Sequence, residues 1–248
     1  MNIMFQSGLL IDIGPVNIPI TILGMSVSVF VWYILIRFQE SMVEPPIINK
    51  EKLSDNLLTL IMIGILLFKF WPVLTNPSLV WTRGWSVIYF SGGSYYQIGL
   101  GLLIIGWFIW YILRPSLPLH KTGQILVRGC IPALIVWYIV IREYGVLTDL
   151  QIGYEYQGQL YHPINFYIAI YLTLMAVIMF LMKKKPYPIE PWILLLSAFF
   201  YIILDPIRAI QNVFIFFDGL QWAWSTVVLS VLWIIYSHRK IDEQRTSD

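Results

Sequence analysis

Apolar residues along this chain come in long unbroken runs, separated by shorter stretches that collect nearly all the charge. Run length, rather than a one-sided stripe, is the informative feature. A hydrocarbon core of about 30 Å is crossed by about 20 helical residues. On that rule seven spans are expected, at Ile18–Ile36, Leu57–Leu74, Tyr95–Leu113, Ile125–Ile141, Pro163–Met182, Trp192–Ile210 and Gln221–Tyr236. Glu44-Pro45-Pro46 and Lys183–Pro191 read as turns at span ends. Thr75–Ser94, rich in tryptophan and glycine, reads as an arm lying along the membrane surface. Gly153–Tyr161 (GYEYQGQLY) alternates in character around Gln157-Gly158, as a short hairpin does.

Composition agrees with the pattern. Of 248 residues 58% are hydrophobic and only 12% charged, where soluble domains carry roughly 25% charged residues. The expected fold is an all-α integral membrane protein, one transmembrane domain over residues 1–248. A net charge of +2 gives no basis for nucleic-acid binding, and Cys130 is the single cysteine. An intramolecular disulfide and a cysteine metal cluster are therefore excluded. No metal and no cofactor is expected.

Charge sets the orientation. One set of alternate connections holds three basic residues, Arg83, Arg142 and Arg208. The other set holds twelve, among them Arg37, Lys50, Lys52, Arg114, Lys121, Arg128, the run Lys183–Lys185 and the C-terminal Arg239, Lys240 and Arg245. Basic connections stay on the cytoplasmic side. The N-terminus is expected outside and the C-terminus in the cytoplasm, with the arm and the hairpin on the outer face.

Several polar groups then fall at one level, near the outer face. The run Ile131–Gly153 ends its apolar part in Arg142 and Glu143. A guanidinium there either snorkels to the interface or serves a site, and in a site it should face an interior cavity. Lys69, near the outer end of the second span, is open to the same two readings. Ser91-Gly92-Gly93-Ser94 precedes a helix start, which is either a plain turn or a place where free N–H groups meet an anion. The apolar run Trp192–Leu204 is about 20 Å long as a helix, which leaves Asp205, Pro206 and Arg208 inside the outer third of the membrane. Asp205 and Arg208, three residues apart, could pair on one helix face. His162-Pro163 opens the fifth span, with Asn165 and Tyr167 just after it. Lys69, Gly92, Gly93, Gln97, Arg142, His162 and Arg208 together form a cationic group facing one leaflet, suited to an anionic lipid headgroup.

From about Ile11 to Arg208 the chain resembles the prolipoprotein diacylglyceryl transferases of bacterial inner membranes. IDIGPVNIPITILGM is similar to that family's opening motif, and FSGGSYYQIGLG to its glycine-rich turn and helix. Pro132 to Gly153 is similar in spacing to its signature stretch, HPINFY to its His-Pro motif, and IILDPIR to its closing Ile-Ile-x-Glu-Phe-x-Arg. The resemblance implies transfer of the diacylglyceryl group of phosphatidylglycerol, or a related anionic phospholipid, to the lipobox cysteine thiol of a prolipoprotein. It implies a multi-pass protein of the bacterial inner membrane. Arg142 falls on the signature arginine, His162 on the motif histidine and Arg208 on the last arginine.

Catalytic roles are thus expected of Arg142, His162 and Asp205, with His162 and Asp205 the candidate bases. Lys69, Gly92, Gly93, Gln97, Arg142 and Arg208 would hold the headgroup. The chain also departs from the family. Gln97 stands for a histidine, Leu23 for a tyrosine, Lys69 for an arginine, Gly145 for the signature asparagine, Leu150 for a glutamate and Tyr201 for a second arginine. These departures suit a non-catalytic relative that binds phospholipid or a lipidated membrane partner.

Overall fold

The computed structural model describes residues 10–13, 16–41, 52–84, 96–113, 119–182, 188–208 and 218–247. Two short strands, β1 (Leu10–Ile13) and β2 (Val16–Pro19), pair antiparallel and lead into helix α1 (Ile20–Ser41). There follow α2 (Leu53–Thr75), the single-turn α3 (Ser78–Arg83), α4 (Tyr96–Leu113) and α5 (Leu119–Val140). A three-stranded sheet, β3 (Tyr144–Leu147), β4 (Tyr154–Tyr156) and β5 (Gln159–Pro163), interrupts the helices in the order β3-β5-β4. The chain then runs through α6 (Ile164–Leu181), α7 (Glu190–Leu204) and α8 (Gly219–Ser247).

Six helical segments among the described residues are long and apolar enough to cross a membrane: Leu53–Thr75, Tyr96–Leu113, His120–Val140, Ile164–Leu181, Glu190–Ile207 and Gly219–Ser237. Their surfaces are apolar as well as their cores. Leu58, Met62, Ile65 and Leu66 on α2, and Leu102, Ile105, Phe108 and Leu113 on α4, are exposed. In water such continuous apolar cover would drive aggregation, whereas lipid solvates it. This is a multi-pass helical membrane protein. The first expected span, Ile18–Ile36, overlaps α1, although Ile18 and Pro19 belong to β2 and α1 is not one of these six helices.

Two compact units make up the chain. One holds α1 as far as Ile36, α5 from Gly123, the three-stranded sheet, α6, α7 and α8; the other holds the rest of α1, α2, α3, α4 and the start of α5. In the first unit Val127, Ile131, Ile164, Ile168, Leu172, Met175, Ile193 and Leu204 form the buried core, uniting α5, α6 and α7. In the second, the Glu40 carboxylate accepts hydrogen bonds from the Leu53 and Ser54 N–H groups and so caps the start of α2.

Two expectations about helix limits are corrected. The sixth span ends its α-helix at Leu204, and Pro206, lacking an N–H, goes with a 3-10 turn over Asp205–Ile207 that leaves Arg208 extended. Arg128, counted with the basic connections although the expected span Ile125–Ile141 contains it, lies on α5, which begins earlier, at Leu119, and its guanidinium pairs with the fully buried Glu190 at the start of α7. The hairpin stands where the alternation located it, with Tyr156 opposite Gln159. Its two-residue turn has φ of +53° at Gln157 and +74° at Gly158, the positive-φ geometry that matches strand twist. Of the expected arm, residues 75–84 are described and contain α3; Gly92 and Gly93 lie outside the described residues.

Candidate headgroup site at the end of α5

A helix leaves its last carbonyls without partners, and at the end of α5 a side chain from the next helix supplies them. Asn165, 2% exposed, donates from Nδ2 to the carbonyls of Tyr138 (3.0 Å) and Ile141 (2.7 Å), and the same nitrogen lies 3.1 Å from the Tyr154 hydroxyl. Its Oδ1 accepts the Glu143 N–H at 3.3 Å. The Glu143 carbonyl in turn accepts the Ile164 N–H at 3.1 Å, one of the unpartnered donors at the start of α6. The end of one helix and the start of the next are thus joined through two residues.

The Glu143 side chain faces a third segment. Arg208 donates to Glu143 Oε1 from Nε at 3.0 Å and from Nη2 at 2.6 Å, and both side chains are only 10% exposed. The guanidinium also lies over the Tyr201 ring, 4.5 Å from its centroid, and Gly145 and Arg208 form an isolated antiparallel bridge. Gly145 is required there. A Cβ would lie 2.5 Å from the Ile207 carbonyl oxygen and 2.8 Å from His162 Cβ. The pairing of Asp205 with Arg208 expected from the sequence is corrected accordingly. Arg208 meets Asp205 through its backbone N–H alone (3.2 Å to the Asp205 carbonyl), and the turn sends its guanidinium to Glu143.

Arg142 and His162 complete the junction. Arg142 is exposed rather than turned into an interior cavity, and its guanidinium carbon lies 5.7 Å from the Tyr154 ring centroid. Among the described residues it belongs to neither ion pair. His162, half-buried, has Nδ1 3.1 Å from the Tyr167 hydroxyl. Tyr144, Tyr154, Tyr156 and Tyr161 form an edge-on aromatic cluster beside them. The junction thus brings together the guanidiniums of Arg142 and Arg208 and the carboxylates of Glu143 and Asp205, with only the Arg208–Glu143 pair joined side chain to side chain among the described residues.

Of the residues singled out from the sequence, Arg142, His162, Asp205 and Arg208 gather at this junction. Lys69 (on α2) and Gln97 (on α4) are both half-buried and belong to the other unit. Glu143 and Asn165 stand at the centre of the network without having been proposed as site residues. Their one visible signal was a polar residue beside each helix end. No family model matches the chain, and no curated protein sequence matches it.

Proposed function

We propose that this protein binds the phosphate headgroup of an anionic phospholipid at the α5–α6 junction and acts as a diverged diacylglyceryl transferase. The observation that carries the reading is the convergence of Arg142, His162 and Arg208, far apart in sequence, around one helix junction of a membrane protein. In this reaction the thiolate of a lipobox cysteine attacks the glyceryl carbon, an S–C bond forms, and the C–O bond to phosphate breaks. Glycerol phosphate leaves with the negative charge. Arg142 is the cation at the junction with no carboxylate bound to it among the described residues, so it meets that charge. His162, beside Gly145 at the same junction, takes the thiol proton. Arg208 and Glu143 hold the surrounding chain in position.

The wider setting belongs to the same proposal. With α1, 22 residues and about 33 Å long, the chain makes seven spans. The basic connections set the N-terminus outside and the C-terminus in the cytoplasm of a bacterial inner membrane. Reporter fusions at Lys50, His120, Lys184 and the C-terminus should all read cytoplasmic.

A second reading has its own support. Gly145 occupies the position of the family's asparagine, and the space beside it is filled by the Ile207 carbonyl and His162. A lipid-binding relative without transfer activity fits that loss. Purified protein with labelled phosphatidylglycerol and a lipobox peptide separates the two. If the enzyme reading holds, wild-type protein forms thioether product. Arg142→Lys, which keeps the charge but loses the planar two-point grip, then drops the rate by about 10²–10³. Gln97→Ala changes it less. Saturable lipid binding that needs Arg142, with no transfer by the wild type, rejects the enzyme and leaves the second reading.

A further inference from the structure

The three-stranded sheet stands directly on two membrane-crossing helices. β3 starts at Tyr144, just past the end of α5 at Val140, and β5 passes straight into α6 at Ile164. The two ends of this sheet differ in chemistry. At the hairpin end Glu155, Gln157, Gly158 and Gln159 are all exposed. At the other end Leu147, the last residue of β3, and Leu150 (56%) and Ile152 (73%) of the β3–β4 loop are exposed within six residues, with Asp149 and Gln151 exposed between them. Single exposed apolar residues are ordinary, but a cluster on one loop needs a cover.

This loop is held in shape. The Thr148 N–H donates to the Leu160 carbonyl at 2.9 Å, and the Leu150 N–H donates to Thr148 Oγ1 at 3.1 Å. Strand pairing also fixes its height. Leu147 and Tyr154, which bracket the loop, both lie opposite Tyr161, close to the start of α6. At roughly 3.3 Å per residue the loop is on the order of 10 Å from Ile164, and the Gln157-Gly158 turn on the order of 20 Å. The interfacial layer adds about 5–8 Å beyond each face of the hydrocarbon core. Both lengths run along the strand and are upper limits on height, so the loop lies no farther out than about the outer edge of that layer, and the polar turn beyond it. On α6, which follows β5 directly, Phe166 and Ile170 are also exposed within the span.

We propose that the β3–β4 loop, residues 148–153, inserts Leu150 and Ile152 into the interfacial layer of the bilayer, so that phospholipid covers this apolar surface. The inference rests on the multi-pass architecture and the strand register, and is independent of headgroup binding or transfer. Its consequence is a fixed depth for Arg142, which lies at the foot of the same sheet. The aromatic cluster behind the loop suits the same layer.

Spin labels report the depth. Single cysteines are introduced as Leu150→Cys, Ile152→Cys and, for the polar end, Gln157→Cys, each in a Cys130→Ala background. The proteins are reconstituted in phosphatidylcholine–phosphatidylglycerol vesicles. Labels at 150 and 152 should collide several-fold more with oxygen, which partitions into lipid, than with a water-soluble nickel chelate, and the label at 157 should show the reverse. Nickel preference at both 150 and 152 overturns the proposal. So does shielding of both labels from both reagents, because protein would then be the cover. A chain that retains Cys130, with photoreactive benzoylphenylalanine replacing Ile152, gives a second readout. A phospholipid adduct supports the insertion, and photoproducts without phospholipid overturn it.

Discussion

Two arginine–glutamate pairs hold the first unit together, and they do so differently. Arg128 and Glu190 join two regular helices, α5 and α7. Glu190 is fully buried, but the Arg128 side chain keeps 32% of its surface exposed. Glu190 also sits in the first turn of α7, where the helix dipole favours a carboxylate. Arg208 and Glu143 both lie outside helices, both are 10% exposed, and each carries a second duty. Glu143 closes the start of α6 through its carbonyl, and Arg208 bridges Gly145 and covers Tyr201. The lesson is one of connectivity. The Arg128 pair fastens elements that packing already orients, whereas the Arg208 pair fixes segments with no repeating backbone hydrogen bonds of their own.

The largest expected effect is the most direct way to break this comparison. Arg208→Leu leaves Glu143 buried without a counter-charge and should cost about 3–5 kcal/mol. Arg128→Leu likewise leaves the fully buried Glu190 without its partner; the dipole of α7 offsets part of that cost, so the loss should be somewhat smaller, about 2–4 kcal/mol. Denaturation in detergent, followed by helical circular dichroism, measures both. Equal losses would show that the two pairs do the same work.

Gly145→Ala sharpens the contrast. The new methyl meets the Ile207 carbonyl and His162, and overpacking of this kind costs about 1–3 kcal/mol. Because Ile207 adjoins Arg208, the Glu143–Arg208 coupling in a double-mutant cycle should also weaken, while the Arg128–Glu190 coupling stays unchanged. A drop in both couplings would erase the distinction. The smallest effect comes from the hairpin. Gln157 holds φ +53°, so Gln157→Gly should stabilise the protein by about 0.5–1 kcal/mol. Both couplings should be untouched by it. A change in either would show that the turn acts on the junction below.

Much of this architecture was legible in one dimension because its cause is local. Six apolar runs became helices long enough to cross a membrane, since length and composition alone decide whether lipid can solvate a segment. The Gln157-Gly158 hairpin was legible for a related reason, alternating character around a residue pair that tolerates positive φ. Helix ends were less so. Arg128 was counted with a basic connection although the expected span Ile125–Ile141 contains it, and Glu190, 62 positions away, is what makes its charge tolerable on α5.

What only the tertiary structure decided is which polar groups meet. Asp205, three residues from Arg208, was the nearer partner along the chain, but Pro206 and the 3-10 turn direct the guanidinium to Glu143, 65 positions away. Asn165 stood within the HPINFY stretch with no role assigned to it, and its role follows from lying where the last carbonyls of α5 run out of donors. The sequence determined that helices cross a membrane and where cations cluster along the chain, because burial in lipid is set residue by residue. The pairing of those charges was decided by the fold, because an ion pair depends on where two chain segments end, and a hydropathy pattern carries no record of that.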